Sequence, residues 1–123
     1  MVEVIATDEF AQWFLDLEQA DALAVDRSVG LLAQMGIALR HPHTSAIKGS
    51  RFPLRELRVK ARGKPLRVFY AFDPDRQAVL LIGGDKSGDK RFYEVYIPRA
   101  EKIWEQYLAE RGEVLHHDEE DLP

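Results

Sequence analysis

At 123 residues, 46% hydrophobic and 31% charged, the chain is long enough to bury one core and too evenly composed for a disordered or fibrous protein. It has no cysteine, which excludes a disulfide framework, a thiolate metal site and a thiol nucleophile. Its net charge of −4 hides an asymmetry that keeps nucleic acid among the partners to consider: residues 40–102 carry 15 Lys and Arg against 7 Asp and Glu, and the remainder 2 against 14.

In chain order, Val2 to Ile5 read as a short strand, without the basic start and apolar stretch of a signal peptide. No apolar run approaches the roughly 20 residues that cross a bilayer, so a cytoplasmic location with no membrane partner is expected. Thr7 or Asp8 offers an N-cap to a helix whose Phe10, Trp13, Phe14 and Leu17 fall at i, i+3, i+4 and i+7. A second helix from about Asp21 carries Leu23, Val25, Val29, Leu31, Leu32 and Met35, with Gly36 at its C′ position. The short link between the two predicts an antiparallel hairpin.

Leu39 to Arg51, "LRHPHTSAIKGSR", has no sustained period and reads as loop. From Leu54 the period becomes two: Leu57, Val59 and Ala61 alternate with Glu56, Arg58, Lys60 and Arg62, which predicts a strand with a charged outer face. "ARGKP" turns the chain into a strand over 66–72, with Arg67, Phe69 and Ala71 on one side. Asp73, Pro74 and Asp75 turn it again, and "QAVLLIGG" over 77–84 is apolar enough for a central strand. Pro98 suits the first turn of a last helix in which Ala100, Ile103, Trp104, Tyr107 and Leu108 form one face and which Gly112 ends.

The expected architecture is α+β: an N-terminal helical hairpin packed on a mainly antiparallel sheet of three to four strands, with a C-terminal helix. Helices cover one face, and the other is left open with Arg58, Lys60 and Arg62 on it. One domain spans 1–111, and residues 112–123 form an acidic, aperiodic tail expected to be disordered.

Metal chemistry has little support. His41 and His43 in "HPHT" lack a third ligand, His116 and His117 lie in the tail, and Lys86 and Lys90 would repel a cation from Asp85 and Asp89. No metal and no cofactor are expected. "GGDKSGDK" lacks the spacing of a phosphate-binding loop, and no G-x-S-x-G elbow occurs. What remains is a cationic and aromatic set, Arg58, Lys60, Arg67, Lys86, Arg91 and Tyr93, on strands and a turn that should be neighbours. Such a set suits attack on a phosphodiester by the adjacent ribose 2′-hydroxyl, because the nucleophile belongs to the substrate and the protein need only position it and neutralise charge. Lys and Tyr ionise near ~10. For either to act as a base at neutral pH, crowded positive charge would have to lower that value.

The same residues carry a resemblance. "LRELR", the strand and turn "RVFYAFDP", and "GGDK" followed by "FY" and "IPRA" closely resemble the phage-derived HigB-like branch of the RelE/ParE toxin superfamily, over about residues 1–111. The resemblance implies a RelE-like fold and the toxin of a type II toxin–antitoxin pair. It also implies a metal-independent endoribonuclease that cuts mRNA on the ribosome, leaving a 2′,3′-cyclic phosphate. The implied partners are a cognate antitoxin, often a helix-turn-helix protein, together with the ribosome and mRNA. Carried over by position, Arg58, Arg67, Lys86 and Tyr93 are the expected catalytic residues, and Lys48, Lys60, Arg62, Lys90, Arg91 and Tyr96 the expected RNA contacts. Glu56 departs from the pattern, since RelE has a lysine there, and this leaves the general base unassigned. The other activities the resemblance allows are inhibition of DNA gyrase, as by ParE, or binding of antitoxin or ribosome without catalysis.

Overall fold

The computed structural model describes residues 1–112 in full and the backbone of 113–120; apart from Gly112, the tail expected to be disordered over 112–123 lies outside the fully described residues. The order of elements is β1 (Val4–Ala6), α1 (Asp8–Leu15), α2 (Gln19–Met35), a 3₁₀ turn (Gly36–Ala38), β2 (Thr44–Ala46), β3 (Arg55–Ala61), β4 (Lys64–Phe72), β5 (Ala78–Asp85) and α3 (Phe92–Glu120). The strands form one sheet in the order β1-β5-β4-β3-β2, with β1 parallel to β5 and every other pair antiparallel.

The α+β class, the helical hairpin and the C-terminal helix agree with the sequence reading, whereas the sheet has five strands: β1 at one edge is the short strand read near Val2–Ile5, and β2 at the other edge is additional. β2 lies inside the stretch read as loop. Three residues carry too little pattern to register as a strand, and side-chain bonds from elsewhere hold it. Thr44 is buried, its hydroxyl shared with the Tyr70 hydroxyl at 2.6 Å and donated to the Glu56 carbonyl at 2.8 Å. Thr7 caps α1 by accepting from the Phe10 N–H, while its own hydroxyl reaches the carbonyls of Leu80 and Leu81 and so fixes α1 to β5.

Alternation along the strands divides the core in two. Leu57, Val59, Ala61, Leu66, Val68, Tyr70 and Leu80 pack with Phe10, Val25 and Leu32 of the helical hairpin. Phe69, Ala71, Val79, Leu81 and Ile82 pack with Phe92, Ala100, Ile103 and Trp104 of α3. Both faces of the sheet are therefore covered, and the face expected to stand open carries α3.

That helix starts at Phe92, so Pro98 lies inside it rather than in its first turn. A proline there forgoes one backbone hydrogen bond, at a cost of about 3 kcal/mol in an isolated helix. The turn ahead of it is held by aromatic packing: Tyr96 stacks on Phe92 with centroids 4.5 Å apart and on Phe69 at 6.1 Å. Gly84 leaves the room, since a Cβ there would stand 2.7 Å from the Tyr96 ring, and Gly83 gives the same clearance to Trp13 on the other face. The glycine pair thus belongs to strand packing. The assigned bounds of α3 also run past Gly112, where an end was expected. No helix among the described residues is long and apolar enough to cross a membrane.

Candidate active site

Cross-strand register assembles the site. In β3 and β4, Arg58 lies opposite Arg67 and Glu56 opposite Phe69, so all four project onto the α3 face. In β2, Ser45 lies opposite Glu56 and projects the same way. α3 crosses this face and brings Tyr93 and Ile97 over the β3 end of the sheet. The result is a groove of about 400 Å³ lined by Ser45, Ala46, Ile47, Lys48, Glu56, Arg58, Tyr93 and Ile97.

The hub is Glu56, read from the sequence as part of an outer charged face but found with its side chain only 4% exposed. Its carboxylate accepts from the Tyr93 hydroxyl at 2.6 Å, from Ser45 Oγ at 3.0 Å and from Arg58 Nε at 3.3 Å, and Arg67 Nε stands 3.7 Å away. Every neighbour is a donor, which is what a buried carboxylate requires. The two arginines differ. Arg58 is 37% exposed at the lip of the groove, whereas Arg67 is 13% exposed and donates Nη1 to the Leu66 carbonyl at 3.0 Å. Arg67 Nε is enclosed and has no acceptor within range, an imperfection that costs about 1–3 kcal/mol and concentrates at functional sites.

Tyr93 corrects an expectation about proton transfer. Burial, then the hydrogen bond to Glu56 and the charge of that carboxylate, push its phenol above the ordinary value, and the nearby Arg67 offsets this only in part. A tyrosine in this setting keeps its proton at neutral pH and donates; it is not a base prepared by crowded cations.

The structure brings Arg58, Arg67 and Tyr93 together, and Lys86 joins them with Nζ 5.2 Å from the centre of the Tyr93 ring. Lys48 lines the groove, and Lys60 is exposed on the same face of β3 as Arg58. Lys90 and Arg91 are exposed in the turn before α3, where Arg91 pairs with Glu94. Two residues are elsewhere. Arg62, with φ at 51°, occupies the two-residue turn between β3 and β4 and points to α2, where it bonds Asp21 and Glu18. Tyr96 lines a separate cleft with Trp13 and Gly83. Sequence reasoning passed over Ser45, whose loop carried no period, and treated Glu56 as a departure. The signal available for Glu56 was its i, i+2 spacing to Arg58 on a strand, which puts opposite charges side by side on one face.

Comparison with known proteins identifies the family. The model of the family described as "Phage derived protein Gp49-like (DUF891)" matches residues 12–105. This chain belongs to the phage-derived Gp49-like family. Among Gp49-like relatives, the Mycobacterium tuberculosis protein described as "Putative toxin HigB3" is 38% identical over 108 residues, covering 86% of this chain and 93% of that one. HigB2 of the same organism, described in the same way, is 30% identical over 106 residues, which is 84% of this chain and 53% of that longer protein. In three dimensions the Gp49-like chain is similar to an arginine double mutant of Escherichia coli toxin RelE in the free state, with a TM-score of 0.55 over 77% of this chain and 94% of that one. At 7% identity, that likeness concerns the fold alone. The chain is thus a HigB-like member with a RelE-like fold.

Proposed function

We propose that this chain is the toxin of a toxin–antitoxin pair and that it cuts RNA, with mRNA on the ribosome as the substrate, by attack of the substrate's own 2′-hydroxyl on the adjacent phosphodiester. The observation that carries this reading is the groove floor, where one buried carboxylate faces two arginines and a protonated tyrosine. Attack by the 2′-hydroxyl releases a proton, and Glu56 is the acceptor present in the groove. As the new phosphorus–oxygen bond forms, charge builds on the phosphate oxygens. Arg58 at the lip and Arg67 behind it are placed to neutralise that charge, with Lys86 beside Tyr93. The phosphorus–5′-oxygen bond breaks as the new one forms, the 5′-oxygen takes a proton from water, Glu56 returns its own to water, and the 2′,3′-cyclic phosphate remains. Lys48 and Lys60 extend the positive surface on which flanking phosphates would lie, together with Lys90 and Arg91 in the nearby turn.

The antitoxin, in this reading a helix-turn-helix protein, silences the chain until it is released, and the site of action is the cytoplasm. Induced expression followed by primer extension on mRNA tests the whole proposal. Cuts within codons that vanish with Glu56→Gln or Arg67→Ala are expected. Growth arrest without cuts, or with supercoiling defects alone, overturns it in favour of gyrase inhibition or of binding without catalysis.

A further inference from the structure

β2 does not stop at Thr44 in its effect on the site. The Arg58 N–H donates to the His43 carbonyl at 2.8 Å, which carries the β2–β3 register one residue further and sets His43 opposite Arg58. Arg58 is in turn opposite Arg67, and Arg67 opposite Gly84. Residues directly opposite one another share a face, with Cβ atoms roughly 5 Å apart. His43, Arg58 and Arg67 therefore form one row across the sheet, on the face that carries the groove. Thr44, the next residue, points to the other face and is buried there against Tyr70. His43 is exposed at the outer end of the row, in the bend just before the edge strand β2.

We propose that His43 is a third phosphate contact in this row, made in the imidazolium form, so that RNA binding takes up a proton. The proposal rests on the reading of the groove as an RNA site. The groups that share this face around His43 are Arg58, with Glu56 and Lys60 on either side of it in β3, and Ser45 in β2. Arg40 and His41 precede it in the turn, and the Arg40 carbonyl accepts from the His43 N–H. A phosphate bound on the arginine row would place negative charge beside the ring and draw a proton onto it. Arginines hold the same charge at every working pH, so among these groups the histidines add proton dependence near neutrality.

The test uses the full chain and a short 2′-O-methyl RNA oligonucleotide, which lacks the attacking hydroxyl, followed by fluorescence anisotropy at low salt from about pH 5.5 to about pH 8.5. Binding by the parent chain is expected to weaken about tenfold across this range. His43→Gln should bind with the weaker constant at every pH. His43→Lys should keep the tighter constant throughout, and His41→Gln should retain the parent's profile. In NMR spectra near neutral pH the His43 ring resonances should move toward their imidazolium positions when the oligonucleotide is added. An identical profile in His43→Gln and parent, or transfer of the pH dependence to His41→Gln, overturns the proposal and leaves the RNA groove intact. No binding by the parent at any pH overturns both.

Discussion

The two faces of the sheet are built from alternate residues of the same strands, yet they solve different problems. The hairpin face is dry, with Leu57, Val59, Val68 and Leu80 against Val25 and Leu32. Its main buried charge, Asp21, is closed off at the edge by Lys64 at 2.7 Å and by Arg62. Those hydrogen bonds hold its carboxyl below the ordinary range, Lys64 contributing most. The α3 face packs aromatic rings over one half of the sheet and leaves polar side chains beneath the groove in the other, among them an arginine nitrogen without an acceptor. A face built only for stability closes its charges; this one keeps them near a surface where a ligand could use them.

Neighbouring positions 56 and 57 give the strongest way to break that contrast. Leu57→Ala, on the dry face, should cost about 2–5 kcal/mol in urea unfolding while leaving RNA cutting per folded molecule unchanged. Glu56→Gln, on the other face, should lower single-turnover cutting on programmed ribosomes by about 10²–10⁴-fold, the usual worth of a proton acceptor. Similar effects of both on activity would remove the distinction between the faces.

Within the groove, Arg67→Ala should reduce cutting by about 10²-fold, as loss of one charge-stabilising donor does, at a circular dichroism spectrum like that of the parent. Tyr93→Phe should cost less, about 1.5 kcal/mol or roughly tenfold in the same assay, the lower end for a hydrogen bond to a charged group. Because Tyr93 is held above its ordinary value of ~10, its ionisation should not cause a fall in activity between about pH 7 and pH 9. A fall in this interval that disappears in Tyr93→Phe would show that the phenol ionises, contrary to the structure.

A smaller effect sharpens the comparison away from the groove. Asp73, at the turn between β4 and β5, is buried, which by itself would raise its carboxyl. The Gln77 N–H, the Tyr107 hydroxyl, the Gln77 side chain and the Arg111 guanidinium overcome that and leave it below the ordinary value. A carboxyl depressed in the folded state contributes stability above its unfolded value of ~3.9 and loses it as the pH falls through the folded value. Asp73→Asn should therefore lower Tm near neutral pH and flatten its decline below about pH 4, with no change in cutting. The smallest effect is expected for Arg62→Ala: it is exposed, paired with α2 and outside the groove, so cutting should match the parent within error.

Much of the fold was legible in the sequence because it depends on period. The hairpin helices, the alternation of β3 and the apolar run of β5 follow from which residues avoid water. β2 and the start of α3 were not legible, because each is held by groups distant in the chain: Thr44 by Tyr70, and the Phe92–Tyr96 turn by Phe69 and Gly84. The site divides in the same way. Arg58 and Arg67 were marked as neighbours by strand alternation and a tight turn. Whether Arg62 would join them depended on the hand of that turn, which sends its side chain to Asp21 on the opposite face.

By itself the sequence determined the residue types, their spacing and the face that each strand residue takes, since side-chain period is a local property of the backbone. Only the tertiary structure decided that α3 covers the charged face, that Glu56 is buried among donors, and that Tyr93 holds its proton. Burial and the approach of opposite charges are set by segments far apart in the chain, and no local pattern records them.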